Sequence, residues 1–136
     1  MARSLLLDTH VWLWMHPNPE RFAPQVRERL EDREQALFLS VASVWEIAIK
    51  YALGKLPLPE PPEIYCNQRL DNPEMAIGVL PIERAHVLCA GALPFHHRDP
   101  FDRLLIAQAQ REDFVLLTVD EHFKAYEVDL LWADRS

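Results

Sequence analysis

Short apolar runs alternate with amphipathic stretches along this chain, and the alternation predicts its layout. Residues 4–7, 36–39, 78–80 and 115–119 read as strands, with a weaker fifth at 129–132. Between them lie helical patterns. Residues 19–32 are charged, with Phe22, Val26 and Leu30 spaced four apart, which predicts a surface helix. Ser40 suits the N-cap of a helix running to about Leu53, closed by Gly54 and followed by Pro57. Pro61 and Pro62 open a further short helix through Tyr65 and Leu70, ending near Asn72 and Pro73. Residues 83–92 suit a helix, and residues 100–111 show the clearest pattern of all. Strands alternating with helices imply parallel crossovers, so the expected fold class is α/β, a three-layer α/β/α sandwich around a parallel sheet. The proline-rich stretch 57–62 is a loop and not a linker, because neither side could hold a core alone. Residues 1–136 are therefore expected to form a single domain.

Composition narrows this picture. A chain of 136 residues can bury a sizeable core, and 49% hydrophobic residues exclude general disorder. No stretch approaches the roughly 18 uninterrupted apolar residues of a membrane span, and no basic-then-apolar signal peptide is apparent. Cys66 and Cys89 lack CxxC spacing and stand in helix-like apolar contexts, which predicts two buried free thiols and a reducing, cytoplasmic setting. The net charge of -7 argues against broad electrostatic adsorption to nucleic acid. A site that binds cations through clustered carboxylates would itself contribute several of those charges.

The placement of the acids on this framework is the informative feature. Asp8 ends the first strand and Asp120 ends the fourth. In an open parallel sheet, ligands bind beyond the carboxyl ends of the strands, near a topological switch point. Glu46 lies between one and two turns into the helix after the second strand, near the same edge. Asp99 and Asp102 stand three apart at the start of the residue 100–111 helix, on one side of it. Four or five carboxylates from four segments could converge there. Each has a plainer alternative. Asp99 before Pro100 makes a good N-cap, and Asp102 would complete a capping box. Asp120 could cap a helix beginning at Glu121. Glu46 could form an i,i+4 ion pair with Lys50. The apolar neighbours of Glu46 and Asp8, however, leave little room for a solvated face. Clustered carboxylates raise one another's pKa and are best relieved by hard divalent cations, Mg²⁺ or Mn²⁺. Two such ions about 4 Å apart can activate water for phosphodiester cleavage.

Several segments together resemble the PIN-domain family, and within it the VapC-type ribonuclease toxins. They are Leu5 through Trp12 around Asp8, Ser43-Val44-Trp45-Glu46-Ile47, Asp99-Pro100-Phe101-Asp102-Arg103-Leu104-Leu105-Ile106-Ala107, and Leu117-Thr118-Val119-Asp120. The resemblance covers nearly the whole chain. It implies a PIN-like parallel sheet of about five strands, divalent-metal-dependent endonucleolytic cleavage of RNA, and a cognate antitoxin. It assigns the metal-binding and catalytic quartet to Asp8, Glu46, Asp102 and Asp120, gives Asp99 an auxiliary role at the metal, and makes Thr118 a supporting hydroxyl.

Other readings fit the residues less well. His96 and His97 beside Asp99 suggest zinc, but no HxxxH helix or cysteine pair completes a tetrahedral site. His10 and His122 neighbour quartet acids and suit loop or capping roles. A receiver-like signalling module would want an acidic pair after the first strand, where Asp8 is followed by Thr9, and a dehalogenase-like phosphatase would want Asp-x-Asp, where His10 takes the third place. A non-catalytic binding module sits poorly with an intact quartet. RNA is expected to be held by metal and by the local cations Arg98, Arg103 and Lys50. Trp12 and Trp14, together with a helix at 40–53 that is apolar nearly all round, predict a surface covered by a homodimer partner, by the antitoxin, or by both. The resemblance further implies that the antitoxin inserts a cationic side chain near the acidic pocket.

Overall fold

In the computed structural model, which describes residues 3–135, the chain alternates strands and helices. The elements are β1 (Leu5–Leu7), α1 (Thr9–Trp14), α2 (Pro24–Glu31), β2 (Leu37–Ser40), α3 (Val41–Ala52), α4 (Pro62–Leu70), β3 (Ile77–Leu80), α5 (Arg84–Ala92), α6 (Pro100–Glu112), β4 (Val115–Thr118) and β5 (Leu130–Trp132). Single 3-10 turns lie at Pro19–Arg21 and Glu121–Ala125. The strands make one five-stranded sheet in the order β3-β2-β1-β4-β5. Every neighbouring pair is parallel.

β1 shows why the central strands carry unbroken apolar runs. Leu5 and Leu7 face a core containing Val11, Trp12, Val26, Ile47 and Tyr65. Leu6 faces a second core with Leu105, Ile106 and Ala109 of α6. Successive side chains point to opposite faces, so a parallel strand covered on both sides needs apolar residues at every position. The helices α1 to α4 close the first face, and α6 with Leu93 at the end of α5 closes the second. The chain lays β2 and β3 on one side of β1, then returns to place β4 and β5 on the other. The order reverses between β1 and β4, and the crevice beyond their carboxyl ends is where such sheets hold ligands.

The entry and exit of α3 follow local chemistry. Ser40 Oγ accepts from the Ala42 amide at 3.0 Å. At the other end Lys55 N donates to Lys50 O at 2.9 Å and Gly54 N donates to Tyr51 O at 3.0 Å. Gly54 has φ of +71°, the left-handed backbone that this double closure requires and that glycine adopts without strain.

Two expectations need correction. The surface helix over 19–32 is broken into the first 3-10 turn and α2, with Ala23 extended between them (φ -59°, ψ 146°). Pro24 disfavours helical backbone in the residue before it, and the Ala23 amide instead bonds Ala133 O at 2.9 Å. The spacing of Phe22 and Val26 marked their burial correctly, but one period spanned two elements. The segment after β1 is the short helix α1, which turns Trp12 fully into the core against His16 and Tyr65. Trp14 is half-buried against Phe22. The exposed large apolar residues are elsewhere, among them Val41, Trp45, Leu53, Val87, Leu88 and Phe95. Cys66 is buried and Cys89 half-buried, both as free thiols. Among the described residues, no helix is long and apolar enough to cross a membrane.

Candidate active site

In a parallel sheet the carboxyl ends of strands are also where the next helices begin, so acids there meet unpaired amides. Asp8, at the end of β1, caps α1 by accepting from Thr9 N at 2.8 Å through Oδ1. Its other oxygen, Oδ2, accepts from Thr118 Oγ1 at 2.7 Å. This bond joins the ends of β1 and β4 across the switch point, and Thr118 Oγ1 in turn accepts from Asp120 N at 3.0 Å. Asp99 caps α6, accepting from Phe101 N at 2.9 Å and Asp102 N at 3.3 Å. Asp120 caps the second 3-10 turn by accepting from His122 N at 2.9 Å. Capping and membership of an acidic pocket are thus not alternatives for these residues.

Glu46 comes from the second turn of α3 and is almost wholly buried, at 3% exposure, beside Asp8 at 4%. Thr9 Oγ1 donates to Glu46 Oε1 at 2.7 Å, and the Ser43 hydroxyl lies 2.8 Å from the same Thr9 oxygen. Lys50 Nζ donates to Glu46 Oε2 at 2.5 Å, so the i,i+4 pair is formed as well. Burial works against the Lys50 charge, but the bond to Glu46 and the fields of Glu46, Asp99 and Asp102 raise its pKa.

Asp102 is the electrostatic focus. Burial first, then the charges of Asp8 and Asp99 and, more weakly, of Glu46, push its carboxyl up to about 7, against the opposing hydrogen bond from His97. Burial also raises Asp8, and the bond from Thr118 opposes it. Carboxylates from the end of β1, from α3 and from the start of α6 therefore lie within electrostatic reach of Asp102, and the burial of Asp8 and Glu46 limits screening by water. Asp102 makes no capping-box return; its Oδ2 lies 2.8 Å from His97 Nε2. Asp120 enters this group less directly. Its Oδ1 is held by His122 Nδ1 at 2.8 Å, and the His122 ring stacks on His97 at 4.8 Å between centroids, 4° from parallel. Two histidine–aspartate pairs thus face each other across the mouth. The part of His97 was missed in the sequence, where the tandem histidines suggested only zinc. Its separation of five residues from Asp102 across a helix start gave no periodic signal.

Of the three cations expected to hold RNA, two are otherwise engaged. Arg103 is buried, and its terminal nitrogens donate to Ala90 O, Leu93 O, Pro94 O and His97 O at 2.8–3.2 Å. It holds the loop that carries His97. Lys50 is paired with Glu46. Arg98 stays exposed beside the pocket.

The donor set suits a hard cation. Asp8, Glu46, Asp102 and Asp120 offer carboxylate oxygens, with Asp99 adjacent, and a divalent ion would relieve the repulsion that Asp102 registers. Among the described residues the tightest grouping here is His97, Asp99 and Asp102, whose ligand atoms lie within 4.8 Å of one another.

Fold and pocket together define the class: an α/β/α domain with a buried carboxylate cluster at the switch point of a parallel sheet. A sequence model of the PIN domain matches residues 5–129, and the chain belongs to that family. It is similar to the ribonuclease VapC16 of Mycobacterium tuberculosis, with 39% identity over 74 residues, which is 52% of this chain and 51% of that protein. The match thus spans about half the length of the curated relative. The fold of this chain is that of one chain in the structure of DNA-bound VapBC from Salmonella typhimurium (TM-score 0.71, 16% identity, 96% of this chain and 98% of the other). It is likewise that of VapBC2 from Rickettsia felis bound to a DNA fragment from its promoter (TM-score 0.68, 15% identity, 94% and 97%).

Proposed function

We propose that this chain is one divalent-metal-dependent endoribonuclease domain, the toxin of a toxin–antitoxin pair acting in the cytoplasm. The observation that carries the reading is the cluster of buried Asp8 and Glu46 with half-buried Asp99 and Asp102, where burial and then the neighbouring charges lift Asp102 to about 7. Membership of the PIN family and the likeness to a ribonuclease support it. Mg²⁺ or Mn²⁺ held by Asp8, Glu46, Asp102 and Asp120 would supply water activation and stabilisation of the leaving oxygen. The chain's own residues prepare that site. The Thr9 amide and the Thr118 hydroxyl each hold one Asp8 oxygen, and Thr9 fixes Glu46. His97 orients Asp102, Arg103 holds the His97 loop, and Asp99 keeps the start of α6 in place. Exposed Arg98, next to Asp99 in the chain, would meet a phosphate of the RNA.

The neighbouring toxin–antitoxin folds support an antitoxin partner. An acidic pocket of this kind fits a cationic side chain from such a partner, and Lys50 already shows how an ammonium is received there. The exposed Val87 and Leu88 of α5 suit a homodimer. Cleavage of single-stranded RNA that requires Mn²⁺ or Mg²⁺ and stops with EDTA tests the activity. Binding of the ion is tested separately by thermal melts. A ligand at one hundred times its dissociation constant stabilises by about 2.7 kcal/mol, so millimolar Mn²⁺ should raise the melting temperature by roughly 10 °C. A melt unchanged by Mn²⁺ would reject the metal site.

A further inference from the structure

We infer that Trp45, braced by Phe101, forms a stacking platform for an unpaired nucleobase of the RNA beside the acidic pocket. The inference rests on the ribonuclease reading and adds to it how the substrate is gripped. Trp45 directly precedes Glu46 in α3, and Phe101 directly precedes Asp102 in α6. Consecutive Cα atoms are about 3.8 Å apart, so the backbone of each aromatic residue adjoins that of an acid of the pocket, and the two rings join α3 to α6 beside it. The rings meet edge to face, with centroids 5.2 Å apart and planes at 77°. Whichever ring supplies the edge, Phe101 leaves at least one face of the indole uncovered. Trp45 remains 58% exposed, an unusual position for the largest apolar side chain in a helix whose other face is buried.

The charges at the mouth explain why a platform is needed. With net charge -7, Lys50 paired to Glu46 and the Arg103 guanidinium directed at backbone carbonyls, few cations remain to grip the backbone. Stacking supplies sequence-tolerant affinity that needs no positive groove, and recognition of single-stranded RNA commonly relies on it. The flat indole, held at one angle by Phe101, meets a base without further ordering cost. Leu53, Val87, Leu88 and Phe95 give the molecule other apolar surface for protein partners.

The test compares the full chain with Trp45→Ala and Trp45→Phe, using a short mixed-sequence single-stranded RNA and Mn²⁺. Trp45→Ala should keep the wild-type melting temperature, raise KM about tenfold and leave kcat nearly unchanged, while Trp45→Phe should restore most of the affinity. Replacing the bases of the RNA one at a time with abasic sites should reveal one position where wild type falls to the level of Trp45→Ala. A merely structural role would produce no such position. An unchanged KM overturns the platform, as does a loss shared equally by every abasic RNA. Loss of dimer in light scattering or of antitoxin affinity, with RNA affinity intact, would assign the face to a protein partner instead. If the wild-type protein cleaves no RNA, the ribonuclease reading fails, and fluorescence anisotropy with the same labelled RNA still decides the platform. Equal binding by wild type and Trp45→Ala rejects it.

Discussion

Glu83, His86 and Glu112 bring ligand atoms within 4.8 Å of one another, and so do His97, Asp99 and Asp102. The first trio lies between α5 and α6, away from the pocket. His86 is buried, and its Nδ1 accepts from Glu83 N at 3.0 Å at the start of α5. A neutral ring so placed carries its proton on Nε2, which donates to Glu112 Oε2 at 3.0 Å. A cation at Nε2 would need that proton gone while Nδ1 kept its lone pair, which amounts to an imidazolate. The trio is therefore complete as a helix-fixing contact. In the second trio the histidine meets an acid already crowded by Asp8, Asp99 and Glu46. Each cluster joins one histidine to two carboxylates within the same 4.8 Å. They differ in how many carboxylates crowd one another, and that crowding is what a bound cation would relieve.

The largest expected effect separates the clusters by activity. Asp102→Asn should lower RNA cleavage by more than about a hundredfold, whereas Glu112→Gln should leave it unchanged. Comparable losses from both variants would erase the distinction. The next effect is on stability without metal. Because the Asp102 carboxyl is raised to about 7 from the ordinary 3.8, the folded state holds a proton that the unfolded state has already lost between those pH values. Stability should therefore fall by a few kcal/mol as pH rises from about 4 to about 7. Mn²⁺ should flatten this dependence, as should Asp102→Asn, and denaturant melts across that range check both.

His86→Ala should cost about 2–3 kcal/mol through the lost bonds and the cavity, with no change in cleavage per folded molecule. His97→Ala should reverse that balance, reducing cleavage more than stability; a chemical melt paired with an activity assay distinguishes them. The smallest effect is expected at Asp99. Asparagine caps nearly as well as aspartate, so Asp99→Asn should shift stability by only a few tenths of a kcal/mol and reduce cleavage less than any quartet variant. Full loss of activity there would make Asp99 a principal ligand.

Much of this was legible along the chain. The five strands fell where the apolar runs lay, most plainly at central β1, because burial on both faces leaves its mark on every residue of a short segment, and most weakly at the half-buried edge strand β5. Ser40, Gly54 and Asp99 marked helix ends because capping involves neighbours two to five residues apart. The acids stood at strand ends, and in a parallel sheet all those ends share an edge. The break at Pro24 was missed by reading one apolar period through a residue that cannot continue it.

What the sequence by itself determined was thus the framework: parallel α/β order, the ends of the capped helices, and which edge holds the acids. Periodicity and capping are local, so their physics is written within a few residues. Tertiary structure alone decided the partners. Thr118 finds Asp8 across 110 positions, and His97 stacks on His122 from another segment. Arg103 turns to four carbonyls rather than to solvent, and Trp12 is buried while Trp45 stands exposed. Each of those side chains had several chemically sensible fates. Which one prevailed depended on what distant segments brought within about 3 Å of it, and nothing local encodes that.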